Sequence, residues 1–239
     1  MGAMHHTSYQ HKNIHGAIMT TEINFAELKK TLYTAVLSDV LDSFGYPNQA
    51  MPPYMRPLDE NIVLFGRART GLFSNAYHVR EDENPYEVEI ALIDDLKKDD
   101  VAVFGCGGQQ TRIAPWGELL STASIKRGAV GVVTDGLVRD VRQIRELGFP
   151  TFHGGIGPLD SRGRGKMILR DTPIECAGVK VETNDLIFGD VDGVVVIPQK
   201  IAAQVIEAAL KKVTSENHTR EELEKGMLLG EVYAKYGVL

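Results

Sequence analysis

Residues 116–140, WGELLSTASIKRGAVGVVTDGLVRD, bring together side chains that could handle a small anionic substrate. Leu119, Leu120, Ala123 and Ile125 recur at helical spacing, which predicts a helix over 116–127 with Gly117 at its start. The backbone N–H groups of Glu118, Leu119 and Leu120 would then have no helical partner and would carry partial positive charge, a setting that receives carboxylates. A glycine at that point removes the β-carbon that would hold a ligand off the backbone. Arg139 and Asp140 follow an apolar strand, AVGVVTD, and a turn at Asp135-Gly136, and they precede another helix. Arginine there offers a planar charged fork to a carboxylate or keto oxygen, and aspartate offers a hard oxygen ligand for Mg²⁺ or Mn²⁺. Each residue also has a plainer reading: Gly117 as an ordinary helix start, Asp140 as a cap on the following helix, Arg139 as half of a surface ion pair.

Other candidates carry less. GCGG at 105–108 follows a strand, yet it lacks GxGxxG spacing and no Walker lysine follows, which argues against a dinucleotide or methyl-donor loop. Arg162, Arg164 and Lys166 form a small basic loop that could touch an anionic tail or simply stay solvated. Asp185, Asp190 and Asp192 fit turns between strands. His78, His153 and His218 stand singly, and Cys106 and Cys176 are far apart without a CxxC pair, so zinc, redox and covalent-nucleophile patterns find no support.

The elements that must position these residues read as a mixed α/β domain. An amphipathic helix is predicted over 25–44, closed by Gly45. A proline-containing extended connection follows over 49–57, and then a strand starts near Ile62 and runs through GRARTGLF. A helix over 85–96 leads to the strand VAVFG, and the pattern repeats through 116–127, AVGVVTD, a short helix at 140–147 and a short strand at 150–153. Strands MILRD, IECAGVKVE, DLIFGD and GVVVIP come next, so a pure βαβ repeat is not expected. Helices return from Pro198 and again over 219–236. Residues 1–20, with His5, His6, His11 and His15, read as a flexible tail or tag, residues 21–239 as one domain, and about 199–239 as its C-terminal helical segment.

Composition limits the partners. With 43% hydrophobic and 24% charged residues the chain can bury a substantial core. A formal charge of -6 opposes attraction to nucleic acid or an anionic membrane. No apolar run approaches membrane length and no signal-peptide core precedes residue 18, so a cytoplasmic location is expected.

Together with LSDVLDSFG (37–45), GRART (66–70), GVVTDGLVRDVRQIRELGFPTF (131–152) and GDVDGVVVIP (189–198), the 116–140 segment resembles the RraA-like family. That group includes 4-hydroxy-4-methyl-2-oxoglutarate and 4-carboxy-4-hydroxy-2-oxoadipate aldolases, and the resemblance covers most of the chain. Its hallmark is an acidic residue, twenty intervening residues and Arg-Asp, which Glu118 and Arg139-Asp140 reproduce. The aldolases usually carry aspartate in the first place, so Glu118 is a departure by one methylene.

The resemblance implies an RraA-like swivelling β/β/α layered fold with N- and C-terminal helices. It further implies a class II lyase that releases pyruvate from a 4-hydroxy-2-oxo diacid through a metal-stabilised enolate, with oxaloacetate decarboxylation as a side activity. Asp140 would bind Mg²⁺ or Mn²⁺ and Glu118 a metal-bound water. Arg139 would hold the keto or enolate oxygen, and the N–H groups after Gly117 would receive the pyruvate carboxylate. A homotrimer or dimer of trimers is implied, with a neighbour's acid, such as Glu216 or Glu221, near the metal. The alternative is a non-catalytic protein-binding regulator of RNA degradation, the role of the family's name-giving member, which lacks the full acidic-X20-Arg-Asp set. A quinone methyltransferase, a third label attached to the family, is disfavoured by the missing cofactor loop.

Overall fold

The computed structural model describes residues 23–109 and 111–237, so the expected tail over 1–20 lies outside the described residues. Helices α1 (Phe25–Leu28) and α2 (Thr34–Ser43) come first, then the two-residue strand β1 (Arg56–Pro57) and the long strand β2 (Leu64–Asn75). Three helix-strand steps follow: α3 (Glu87–Asp94) and β3 (Asp100–Gly105), α4 (Glu118–Arg127) and β4 (Gly131–Val138), α5 (Val141–Leu147) and β5 (Thr151–Ile156). Strands β6 (Gly165–Arg170), β7 (Ile174–Cys176), β8 (Val179–Val181), β9 (Leu186–Asp190) and β10 (Gly193–Ile197) complete the sheets. A 3-10 turn, Gln199–Ile201, opens the final helices α6 (Ala202–Glu224) and α7 (Leu229–Tyr236).

Strands β2, β3, β4 and β5 pair in parallel, and the antiparallel strands β9 and β10 extend the sheet from β2 while β1 borders β5. β6 pairs with the far end of β2, and β7 and β8 form a separate hairpin. Every residue of β3 and β4 is buried, as expected of parallel strands covered on both faces. Alternate side chains divide accordingly. Ala102, Phe104 and Val132 pack with Leu92, Trp116 and Ile144 of the helical layer, whereas Val101, Val103 and Val133 meet Ile174, Val179 and Val181 of the hairpin. A third cluster joins α2 and α6 to β9 and β10 through Leu37, Leu41, Phe188, Ile197 and Val205.

Four expectations need correction. The helix over 25–44 is broken into α1 and α2, because the Thr34 N–H and hydroxyl donate to the Asp190 carboxylate (2.8 and 2.6 Å) and start a new helix there. Asp190 thus does more than form a turn. IECAGVKVE is two strands, with Ala177 and Gly178 both at positive φ in the bend. The last helix starts at Leu229 rather than at 219, after a junction at 225–228 with Gly226 in the left-handed region.

The fourth correction bears on the site. Asp135-Gly136 is no turn but lies inside β4, where the register with β5 shifts between Thr134 and Leu137. Gly136 is required because a β-carbon would come within 2.8 Å of Pro115 and 3.0 Å of the Cys106 sulfur. The fully buried Asp135 carboxylate accepts N–H bonds from Cys106 (2.6 Å), Gly108 (2.7 Å) and Ala177 (3.1 Å), tying the GCGG loop and the hairpin to β4. Burial pushes its carboxyl above the ordinary range, while those N–H groups pull it back. Asp135→Asn turns an amide NH₂ toward some of these donors, and we expect a loss of about 2–3 kcal/mol of stability, read as a lower urea midpoint at unchanged slope.

Candidate active site

All elements that reach the site leave from the carboxyl ends of the parallel strands, the usual place for ligands in such sheets. α3 follows β2, α4 follows β3, the Arg139-Asp140 pair ends β4, and Asp160 lies in the loop beyond β5. A short strand-like segment sets the register. Leu137 N–H donates to the Ile113 carbonyl (2.9 Å) and Arg139 N–H to the Trp116 carbonyl (3.0 Å), so residues 113–116 run beside the end of β4. That pairing places Gly117 next to Arg139 and Asp140. Trp116, buried between Phe104 and Phe149, anchors the junction, and its indole N–H donates to Ser121, whose hydroxyl donates in turn to the Gly117 carbonyl (2.8 and 3.0 Å).

Asp140 adopts a left-handed backbone (φ 56°), unusual for a residue with a β-carbon. Its side chain does not cap α5, the helix it precedes. Instead Oδ2 accepts the Glu118 N–H (3.2 Å), so a carboxylate sits at the mouth of α4. Its side chain remains 43% exposed. A β-carbon on residue 117 would lie 2.6 Å from that Oδ2, 3.2 Å from Arg139 Cγ and 3.3 Å from its Nε. Glycine there is therefore a demand of the Arg139-Asp140 pair. The N–H groups of Leu119 and Leu120 precede any helical carbonyl partner, and the Leu119 side chain is exposed.

Of the residues singled out in the sequence, Gly117, Leu119, Leu120, Arg139 and Asp140 line one cleft of about 220 Å³. Glu118 contributes its N–H, but its carboxylate turns back to accept the Thr122 hydroxyl (2.7 Å). The basic loop braces its own chain: Arg164 donates to the Asp160 carbonyl (3.1 Å) and Lys166 pairs with Glu83 (2.5 Å). Glu216 accepts the Tyr33 hydroxyl within its own chain, and Glu221 is exposed on α6.

Three ionisable lining residues escaped the sequence reading: Tyr86, Glu89 and Asp160. The Asp160 carboxylate accepts the Tyr86 hydroxyl (2.7 Å) and lies 3.8 Å from the Arg139 guanidinium, which spans the distance between Asp140 and Asp160. Burial acts to raise the Asp160 carboxyl, but the Tyr86 hydroxyl, the Arg162 N–H and Arg139 hold it below the ordinary range. Tyr86 is pushed up to about 12, by burial first and by Asp160 second. Glu89 is 5% exposed. Its spacing offered a signal, since it stands one turn before Ile93 on the buried side of α3.

Among the described residues, no three His, Cys, Asp or Glu side chains converge as a closed metal cage. A hard divalent cation needs less than that, because Mg²⁺ commonly takes one or two carboxylates and fills its shell with water and substrate oxygens. The open Asp140 carboxylate, with space preserved by Gly117, suits such an ion.

Residues 34–196 match the model of the RraA-like family, described as Aldolase/RraA. The chain belongs to this family. A relative in Halalkalibacterium halodurans, named "Putative 4-hydroxy-4-methyl-2-oxoglutarate aldolase", is 34% identical over 193 residues, 80% of this chain and 84% of that one. The 4-hydroxy-4-methyl-2-oxoglutarate aldolase of Thermus thermophilus is 28% identical over 70% of this chain and 92% of its own. Among solved structures, Streptomyces coelicolor RraAS2, described as an unusual member of the RNase ES inhibitor RraA protein family, superposes with a TM-score of 0.73 at 26% identity, covering 82% of this chain and 98% of that one. The mixed α/β architecture with its largely parallel central sheet is thus that of the RraA-like fold. No described helix is long and apolar enough to cross a membrane.

Proposed function

We propose that this RraA-like protein is a divalent-metal-dependent lyase that cleaves a 4-hydroxy-2-oxo diacid to pyruvate and a second oxo acid, with oxaloacetate decarboxylation as a side reaction. The observation that carries this reading is the convergence of Arg139, Asp140 and the α4 N-terminus on one cleft around the space left by Gly117. Asp140 would hold Mg²⁺ or Mn²⁺, with Glu118 engaged through water. When bound, the cation supplies Lewis-acid stabilisation of negative charge developing on the substrate's keto oxygen.

The chain's own groups do the positioning. The Leu119 and Leu120 N–H groups receive the pyruvyl carboxylate, since Asp140 already takes that of Glu118. Arg139, steadied between Asp140 and Asp160, aims its N–H groups at the keto oxygen, where they strengthen as charge builds up. Apolar Ile90, Pro115, Trp116 and Leu120 limit water around them. The protein is proposed to act as a cytoplasmic single-domain homotrimer or dimer of trimers, a neighbour's acid completing the site.

Oxaloacetate with Mg²⁺ or Mn²⁺, followed by pyruvate detection, tests the reading. Pyruvate release above the metal-only background is expected, and EDTA should abolish it. Absence of metal-dependent pyruvate release from oxaloacetate and from hydroxy-oxo diacids would move the assignment to a protein-binding regulator, the reading supported by the likeness to RraAS2.

A further inference from the structure

Glu89 is a carboxyl group that the scheme above leaves unused. It lies in the first turn of α3, almost wholly buried, and its Oε2 has no hydrogen-bond partner among the described residues. An unmet buried polar group destabilises the fold, a cost that a leucine at the same place would avoid. Yet this residue lines the same cleft as Arg139 and Asp140, so Glu89 borders the space a substrate would fill.

We propose that the carboxylic acid of Glu89 is the internal proton donor that delivers hydrogen to C3 of the pyruvate fragment once the carbon-carbon bond has broken; the inference rests on the lyase reading. In a 4-hydroxy-2-oxo diacid the C3–C4 bond breaks, the C4 hydroxyl proton passes to water, and C4 becomes the carbonyl of the departing oxo acid. The bonding pair stays with the pyruvate fragment as an enolate. That pair forms a C3–H bond with the Glu89 proton, and the carboxylate left behind regains a proton from water as the products leave. C4 is formally oxidised and C3 reduced by the same bonding pair, so no external oxidant or reductant is needed, and the net proton count is zero. With oxaloacetate, CO₂ departs instead and one solvent proton is consumed per turnover.

The neighbours make Glu89 the suitable donor. Burial pushes it up to about 8, Asp160 pushes the same way and Arg139 opposes, so the neutral acid predominates below that pH. Asp160 is held ionised, and the Tyr86 hydroxyl is already donated to it. The charged or titratable groups lining the cleft with Glu89 are Tyr86, Arg139, Asp140 and Asp160. α4 adds only apolar Leu119 and Leu120 side chains, and β2 and β6, which also pack on α3, add none among the described residues.

The test uses the full chain with Mg²⁺ and pyruvate in D₂O, following deuterium entry into the methyl group by NMR. Wild type is expected to catalyse the exchange, and Glu89→Gln to slow it about 100-fold, the low end for a positioned acid, with pyruvate affinity unchanged. Glu89→Leu should show the same loss while melting no lower than wild type. Pyruvate release by wild type should fall as pH rises through about 8, and the Gln variant should lack that limb. Exchange at the wild-type rate in both variants overturns the assignment, as does a wild type that cleaves oxaloacetate without exchanging the methyl protons. A wild type that neither cleaves nor exchanges overturns the lyase reading itself, and the assignment with it.

Discussion

Replacing Asp140 by asparagine is expected to cut metal-dependent pyruvate release by about three orders of magnitude, close to 4 kcal/mol of transition-state stabilisation, while leaving the fold intact. Asparagine tolerates the left-handed backbone at φ 56°, and its carbonyl oxygen can still accept the Glu118 N–H, so neither the start of α5 nor the mouth of α4 is disturbed. What disappears is the charge. An amide oxygen is a much poorer ligand for a hard dication than a carboxylate, and Arg139 loses one of its two flanking anions. The measurement is paired: initial rates with oxaloacetate, and Mn²⁺ affinity by calorimetry in the presence of pyruvate. Both should fall, with the melting temperature held. A variant that binds Mn²⁺ as wild type does would remove Asp140 from the role of metal ligand.

What the sequence made legible at this site, and what it hid, follows from the range of the interactions. The α4 start, the strand before Arg139 and the glycine stops at Gly128 and Gly148 depend on neighbours within a few residues, and periodicity reports them. The break between α1 and α2 depends on Asp190, distant in sequence, so the apolar spacing of 25–44 reads as one helix. Asp135-Gly136 has the composition of a turn, and only the packing of Pro115 and the three N–H groups gathered on the carboxylate explain why it is strand. Glu89 shares its turn with apolar residues, which encourages the view of a charged residue on a wet face, although its offset of four from Ile93 points inward. Asp160 was obscured by the basic residues that follow it. Asp140 had an obvious local use as a cap, and the αL backbone that turns it away from α5 leaves no mark in residue spacing.

Gly117→Ala should lower kcat/KM by two to three orders of magnitude, and the reason separates geometry from stability. Glycine 117 has φ −154° and ψ −171°, extended backbone that alanine adopts freely, so no backbone strain is introduced. Its added methyl would meet Asp140 Oδ2 at 2.6 Å and Arg139 at 3.2 Å. Both contacts fall on side chains rather than on backbone. They can yield, and the cost of yielding, added to a weaker helix start, is about 1–2 kcal/mol. The same movement is damaging for catalysis, because displacing a charged group by about 1 Å can cost 100-fold and here two groups move together. Thermal melting should therefore shift little while turnover collapses, and Mn²⁺ affinity should drop with it because the space beside Asp140 is filled. An alanine variant with wild-type kcat/KM would mean that Arg139 and Asp140 work from positions other than the ones Gly117 permits, and the assignment of this cleft as the reaction site would fall.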